Sequence, residues 1–496
     1  MPFEPFKFSA RIPPTLLCLG LCFAVACTDS NKENTPSGDM GGTGGFDLGL
    51  DTSDSGLESF DAGLDTADAL HDASPNDAKI DTTGLYPEAA LIDGVFGEWG
   101  DRDILLVDPA GDAVGAFDIT RVHARSRGTV LYLHFDVGSE LNLQSGNWFD
   151  GQIRLDILVG DARLTVDFRG RSIYRDGNPD RWITWQTMSM TTAPTHTSTE
   201  FEMQIDLGEI GAKRHDEVTL SFDGSDRTEE ALFALDAPAV PPAPLRTATR
   251  GAGATIRIAN LNTKESGLSN SERAGSIGRL LAAVDADIYC FQEEFETQDS
   301  AISSALRTLT GKDGWSVYRV RASIIATRGR MEPVESENQR YAAARVQVSG
   351  GPEILAISYH GSCCGYAGSE EDAERISEAQ ALVRTVDAHR DIPAVVIGDW
   401  NLVGSRTPLS TLEASGLERW HLESLRPGDF WTWYNPRSRF TPGQLDLLVH
   451  DPTRLERVHG YILSTHTMQP EEAEALGLRT EDSGGSDHQV LVGDFK

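Results

Sequence analysis

Gly484-Gly485-Ser486-Asp487-His488 stands near the end of this 496-residue chain, a carboxylate and an imidazole side by side after a glycine turn, and runs on into Val490-Leu491-Val492. Alone, the pair says little. Four upstream fragments share its build, an apolar strand ending in polar groups able to bind metal or phosphate. They are Ile256-Arg257-Ile258-Ala259-Asn260-Leu261-Asn262, Asp287-Ile288-Tyr289-Cys290-Phe291-Gln292-Glu293, Ala394-Val395-Val396-Ile397-Gly398-Asp399-Trp400-Asn401 and Gln444-Leu445-Asp446-Leu447-Leu448-Val449. Short apolar runs bounded by polar or turn residues read as buried strands. Segments 271–284 and 370–388 between them read as helices, so residues 254–496 are expected to form a layered α/β domain. Five strand ends carrying Asn, Glu, Asp with Asn, Asp, and Asp-His then describe one site assembled across a sheet.

Working outward, the length predicts two folded domains plus extras, because single cores stop growing at roughly 250–300 residues. The net charge of −33 argues against broad electrostatic capture of nucleic acid, which needs basic surface to displace counterions. A nuclease stays open, since local charge and a bound metal govern the site itself. At the N-terminus, Lys7 and Arg11 precede the apolar stretch from Leu16 to Val25, and Ala26 precedes Cys27. This predicts an export signal over residues 1–27, too short to span as an ordinary transmembrane helix. Its end resembles a bacterial lipobox, which implies a lipidated Cys27 and a membrane tie only through that anchor. Ala24 stands where such boxes carry Leu, and a plain secretory signal with an incidental cysteine is the other reading. Beyond Cys27 only Cys290, Cys363 and Cys364 remain, too few for a disulfide framework. Cys363-Cys364 reads as a vicinal disulfide, as a partner for Cys290, or as free thiols.

Residues 28–84 read as a tether. Thirteen acidic residues face Lys32 and Lys79 alone, and too few bulky apolar groups are present to offset ordering entropy. From 88 to 236, period-two alternation between turns predicts an antiparallel β-sandwich. The opening Ile92-Asp93-Gly94-Val95-Phe96-Gly97-Glu98-Trp99 resembles family 9 carbohydrate-binding modules, which implies a glycan ligand. Trp148, Trp182 and Trp185 offer either flat sugar-binding faces or packing. The turn Asp176-Gly177-Asn178-Pro179-Asp180 reads as a Ca2+ loop or an ordinary solvated turn. A Pro-rich linker over 237–253 separates the two domains.

The ordered strand ends of 254–496 resemble the endonuclease/exonuclease/phosphatase superfamily, the deoxyribonuclease I-like group. The resemblance implies a four-layer α/β/β/α sandwich, preceded here by the all-β sandwich domain, with Mg2+ or Mn2+ at one end. In its terms Glu293 is the principal metal carboxylate, Asn262 (preferred to Asn260) sits at the metal and phosphate, and Asp487 completes the metal shell. His488 is the proton acceptor, oriented by Asp446. Asp399 positions or activates the attacking water, and Asn401 donates to a phosphate oxygen. His360, in Ser358-Tyr359-His360-Gly361, matches the family's second histidine. Phe430-Trp431-Thr432-Trp433-Tyr434 resembles the aromatic segment before the Asp446 strand, placed either to stack a base or to pack under the site.

The function expected is an exported, metal-dependent phosphodiesterase acting on DNA or RNA. Phospholipid or inositol phosphate is the alternative substrate, and a surface binding protein acting through the β-sandwich is the alternative of another class. Arg319, Arg321, Arg328 and Arg330 read as a phosphate-facing patch or a solvated edge.

Overall fold

The structure, a computed structural model, describes residues 91–145, 152–239 and 243–496. The export signal with Cys27, the acidic tether, Trp148 and linker residues 240–242 lie outside the described residues. All described residues belong to one compact unit.

The first part is an antiparallel sandwich. One sheet runs in the order Ile104–Val107, Ile119–Arg127, Val130–Leu141, Ser198–Asp206, Thr191–Ala193. The other runs Ala231–Ala234, Glu217–Gly224, Ile153–Val159, Ala162–Asp167, Ser172–Arg175, Trp182–Ile183. Alternation does what it predicts: Leu131, Leu133 and Phe135 meet Leu155 and Ile157 in one core, while the intervening residues face outward. The Ile92–Trp99 stretch closes the outer face of the first sheet. Trp99 Nε1 and the Gly94 amide each donate to the buried Glu202 carboxylate at 3.0 Å. Trp185 packs into the core, whereas Trp182 is 66% exposed. In the Asp176–Asp180 turn, Asn178 caps a short 3-10 helix by accepting from the Asp180 amide, and Asp176 pairs with Arg181.

The second part stacks two six-stranded mixed sheets between helices. The first sheet runs Ser316–Val320, Ser323–Thr327, Ile288–Gln292, Ile256–Asn262, Val490–Phe495, Arg457–Leu463. The second runs Arg330–Val334, Tyr341–Gln347, Glu353–His360, Ala394–Asp399, Asp446–His450, Glu418–Arg419. Three apolar cores separate four layers. Ile277, Leu281, Ile302 and Leu306 of helices Ala274–Val284 and Asp299–Thr310 pack on one outer face. Leu382, Val386, Leu409 and Leu412 of helices Glu370–Ala388 and Thr407–Ala414 pack on the other. Ile258, Ile325, Ala356, Ile397 and Leu491 fill the space between the sheets. Strands buried on both faces explain why these runs are continuously apolar rather than alternating.

The four arginines read as one patch are split by strand register. Ser316–Val320 pairs with Ser323–Thr327 so that Arg321 lies in the turn at the Gln292 end and Arg328 follows Thr327 at the other. Arg319 binds Asp299 and the Thr297 and Glu294 carbonyls, and Arg330 pairs with Glu353. Of the four, only Arg321 is left exposed at the end where the polar strand termini gather.

Candidate active site

Register brings the polar strand ends together. Asn262 and Gln292 close two parallel strands side by side, which puts Glu293 next to Asn262. Asn260 pairs with Leu491 of the antiparallel last strand, so Asp487 and His488 enter from the same end. In the facing sheet His360 is opposite Asp399, and Asp399 is opposite Asp446. The metal and catalytic residues expected from the sequence therefore all lie at one end of the two sheets.

Hydrogen bonds across the layers fix them. Asn262 Nδ2 donates to Glu293 Oε1 and to Asp399 Oδ2, both at 3.0 Å, joining the sheets. His488 Nδ1 lies 2.7 Å from Asp446 Oδ2, and its Nε2 lies 3.8 Å from Asp399 Oδ2. His360 Nε2 is 3.7 Å from Asp399 Oδ2 and 3.9 Å from Glu293 Oε1. Asn401 Nδ2 donates to Asp399 Oδ2 and to the Gly361 carbonyl. Asn260, the rejected alternative to Asn262, instead donates to Asp446 Oδ1 and accepts from Gln292 Nε2. Two of the polar residues occupy left-handed backbone, Glu293 at φ +64° and Asn401 at φ +46°. Non-glycine residues held there cost on the order of 1 kcal/mol or more and gather at functional sites.

The charges are crowded. Burial, with Asp446 and Glu293 nearby, raises the Asp399 pKa to about 7 against the opposing pull of His488. Burial works against a charged His488, but Asp446 and Asp399 outweigh it and push its pKa up to about 10. Burial lowers His360 to about 4, so that ring is neutral. Asp487 is held below its usual value: burial opposes its charge, but His488 and the Lys264 ammonium, 2.9 Å away, prevail.

This donor set fits a hard divalent cation. Ligand atoms of Glu293, His360 and Asp399 lie within 4.8 Å of one another, and the crowding that drives Asp399 toward its neutral form is what a cation relieves. Glu293 and Asp399 bring carboxylate oxygens to this space; Asn262 turns its Nδ2 toward both while its Oδ1 accepts from the Lys264 amide, and Asp487 pairs with the Lys264 ammonium.

Sequence reasoning missed several supports. Thr432 Oγ1 accepts from the Leu445 and Asp446 amides. Ser486 Oγ donates to the Asn262 carbonyl and accepts from the His488 amide; its place inside the Gly-Ser-Asp-His stretch was the available signal. For Lys264, nothing in the sequence pointed to Asp487. The Cys363 and Cys364 sulfurs are joined to each other and Cys290 is a free buried thiol.

Residues 258–488 match the model of the Endonuclease/Exonuclease/phosphatase family. Similar solved structures include a Neisseria 3′ phosphatase, NExo, bound to product DNA hairpin (18% identity, 49% of this chain, 100% of that chain, TM-score 0.36). An AP endonuclease from Archaeoglobus fulgidus gives 16% identity, 49% and 100% coverage and a TM-score of 0.36. The human Nocturnin catalytic domain with bound sulfate gives 18%, 49%, 94% and 0.35. No curated protein matches the chain. The assignment rests on the family match, which begins in the first strand of the α/β/β/α sandwich and ends at His488. The C-terminal domain of this protein belongs to the Endonuclease/Exonuclease/phosphatase family and is a metal-dependent hydrolase of phosphate esters.

Proposed function

We propose that the protein is a nuclease, hydrolysing phosphodiester bonds of DNA or RNA by in-line attack of water. The observation that carries this reading is the convergence of Glu293, Asn262 and Asp399 with the His488–Asp446 pair at one end of the sheets. Mg2+ or Mn2+, held by Glu293, Asn262 and Asp487, would neutralise charge on the phosphate. The chain's own groups do the rest. Asp446 fixes His488 Nδ1, leaving Nε2 as the nitrogen that exchanges a proton with the reacting oxygens. Asp399, opposite Nε2, positions the water. Neutral His360 and the Asn401 amide face the phosphoryl oxygens. Exposed Arg321 and half-buried Tyr434, whose amide donates to the Asp487 carbonyl, supply a cation and an aromatic face beside the site, the pair that single-stranded nucleic acid uses.

One observation favours a phospholipid instead. Phe295, two residues past Glu293, is 60% exposed, an apolar group at the mouth of the site. Export, a lipid anchor at Cys27 and the acidic tether stay with the proposal on sequence grounds alone, and a glycan ligand of the first sandwich has exposed Trp182 as its support. Among the described residues no helix is long and apolar enough to cross a membrane. The test compares kcat/KM with Mg2+ on single-stranded DNA, RNA, sphingomyelin vesicles and an inositol polyphosphate. The proposal expects a nucleic acid to lead by at least about tenfold, a difference of some 1.4 kcal/mol in transition-state binding; a lead for the vesicles moves the assignment to the lipid.

A further inference from the structure

The first sandwich grips the two loops that carry site residues out of the second catalytic sheet. One loop leaves Asp399 through Asn401 to Gly404; the other returns through Thr441, Gly443 and Gln444 to Asp446. Thr195 Oγ1 lies 2.9 Å from the Leu402 carbonyl and 3.3 Å from the Gln444 carbonyl, so one hydroxyl reaches both loops. Its methyl fills the space beside Gly443, where a Cβ would approach it to 2.5 Å. Gln144 clamps Thr441 with both ends of its side-chain amide, Oε1 accepting from the Thr441 amide at 2.9 Å and Nε2 donating to Thr441 Oγ1 at 2.7 Å. Asn142 Nδ2 donates to the Val403 carbonyl, and the Thr197 amide to the Gly404 carbonyl.

These contacts lead directly to the site. Leu402 follows Asn401, whose left-handed backbone needs outside support. Gly443 pairs with Trp433, and Trp433 bridges to His488. Trp185, a residue offered by sequence as a sugar face, donates its indole N–H to the Arg439 carbonyl of the same loop. Loops that carry function are usually held by a rigid scaffold, and here a different domain supplies part of it.

We propose that the N-terminal sandwich is a brace of the active site, with Thr195 and Gln144 as positioning residues for Asn401 and the Asp446–His488 pair. The inference rests on phosphoester hydrolysis at this site and not on which phosphoester is the natural substrate. The test uses the whole chain from Lys79 onward, bis(4-nitrophenyl) phosphate with Mg2+ as probe, and Thr195→Val, Gln144→Leu and Thr195→Ser. Valine keeps the shape of threonine and removes the hydroxyl. Displacement of an oriented group lowers turnover more than binding, so Thr195→Val with Gln144→Leu should reduce kcat about 10- to 100-fold with KM within about twofold. Thr195→Ser should keep the wild-type kcat. Amide exchange in peptides covering 399–405 and 440–447 should accelerate in the double variant, while 130–141 stays protected.

Wild-type kcat in the double variant, or unchanged exchange in both loops, overturns the brace. An equal loss in Thr195→Ser also overturns it, because the hydroxyl would not be the cause. If the double variant does not fold, Gln144→Ala alone carries the same two readouts. If the wild type itself leaves the probe intact, the phosphoesterase reading has failed on this probe, and exchange alone decides the brace.

Discussion

At the scale of single residues, the proposed function gives the metal to Glu293 and the proton to His488. Glu293 sits in left-handed backbone at the mouth of the site, accepting from Asn262 Nδ2 and the Glu265 amide. Its carboxylate is therefore aimed rather than free. Glu293→Gln keeps the shape and removes the charge, so the Mg2+ concentration for half-maximal activity should rise by at least about tenfold, the scale of one lost oxygen ligand. A metal titration of activity checks this; an unchanged midpoint would place the ion elsewhere. His488→Ala should lower kcat by about 10²–10⁴-fold, the range of a lost proton-transfer group, with the unfolding midpoint read alongside. Asp446→Asn should lower kcat in the same direction, since an amide neither fixes the ring's tautomer nor balances the charge that Asp446 imposes on His488.

At the scale of elements, the first and last strands of the catalytic domain are joined by a buried ion pair. Arg257 Nε and Nη2 donate to the two Asp494 oxygens at 2.6 and 2.8 Å, and the Ala248 and Val284 carbonyls take the remaining Nη1 donors. Arg257→Met should destabilise the domain by about 3–5 kcal/mol, because Asp494 is left buried without a counter-charge, only the Gly251 amide still donating to it. Denaturant unfolding measures it, and Arg257→Met with Asp494→Leu should recover much of the loss. The central strands are legible in the sequence because each is buried on both faces and ends in polar side chains, in an order the chain itself displays. Asn262, Glu293, Asp399, Asp446 and His488 are readable for that reason. The four arginines mislead because linear spacing does not reveal hairpin register, and a single turn at Arg321–Ala322 sends Arg328 to the far end of the sheet. Lys264, and the grip of Thr195 and Gln144, are hidden because their partners lie more than two hundred positions away or across a domain boundary.

The whole molecule also responds to pH through groups far from the site. His450 is fully buried, with Nδ1 3.1 Å from the Glu418 carbonyl and Nε2 accepting from Arg457 Nε at 3.1 Å. Burial first, and then Arg457, lower its pKa to about 4. The sign follows: folded His450 stays neutral below the unfolded value of about 6.5, so the unfolded chain takes up the proton first. Its contribution to stability is complete above about pH 6.5 and is lost as pH falls toward 4. His450→Gln should therefore cost more at pH 7.5 than at pH 5, read as the difference in unfolding midpoint from wild type at each pH. Equal costs at both would mean that the ring's proton is not linked to folding.

The central claim is that one end of the C-terminal sandwich hydrolyses phosphodiesters with a divalent metal and His488. Supercoiled plasmid incubated with the protein from Lys79 onward, in Mg2+, in excess EDTA, and with His488→Ala, tests it most directly. Nicked and linear products are expected with Mg2+, none with EDTA, and a loss of about 10²-fold or more in the variant. Cleavage that persists in EDTA, or that His488→Ala leaves unchanged while the protein stays folded, would contradict it.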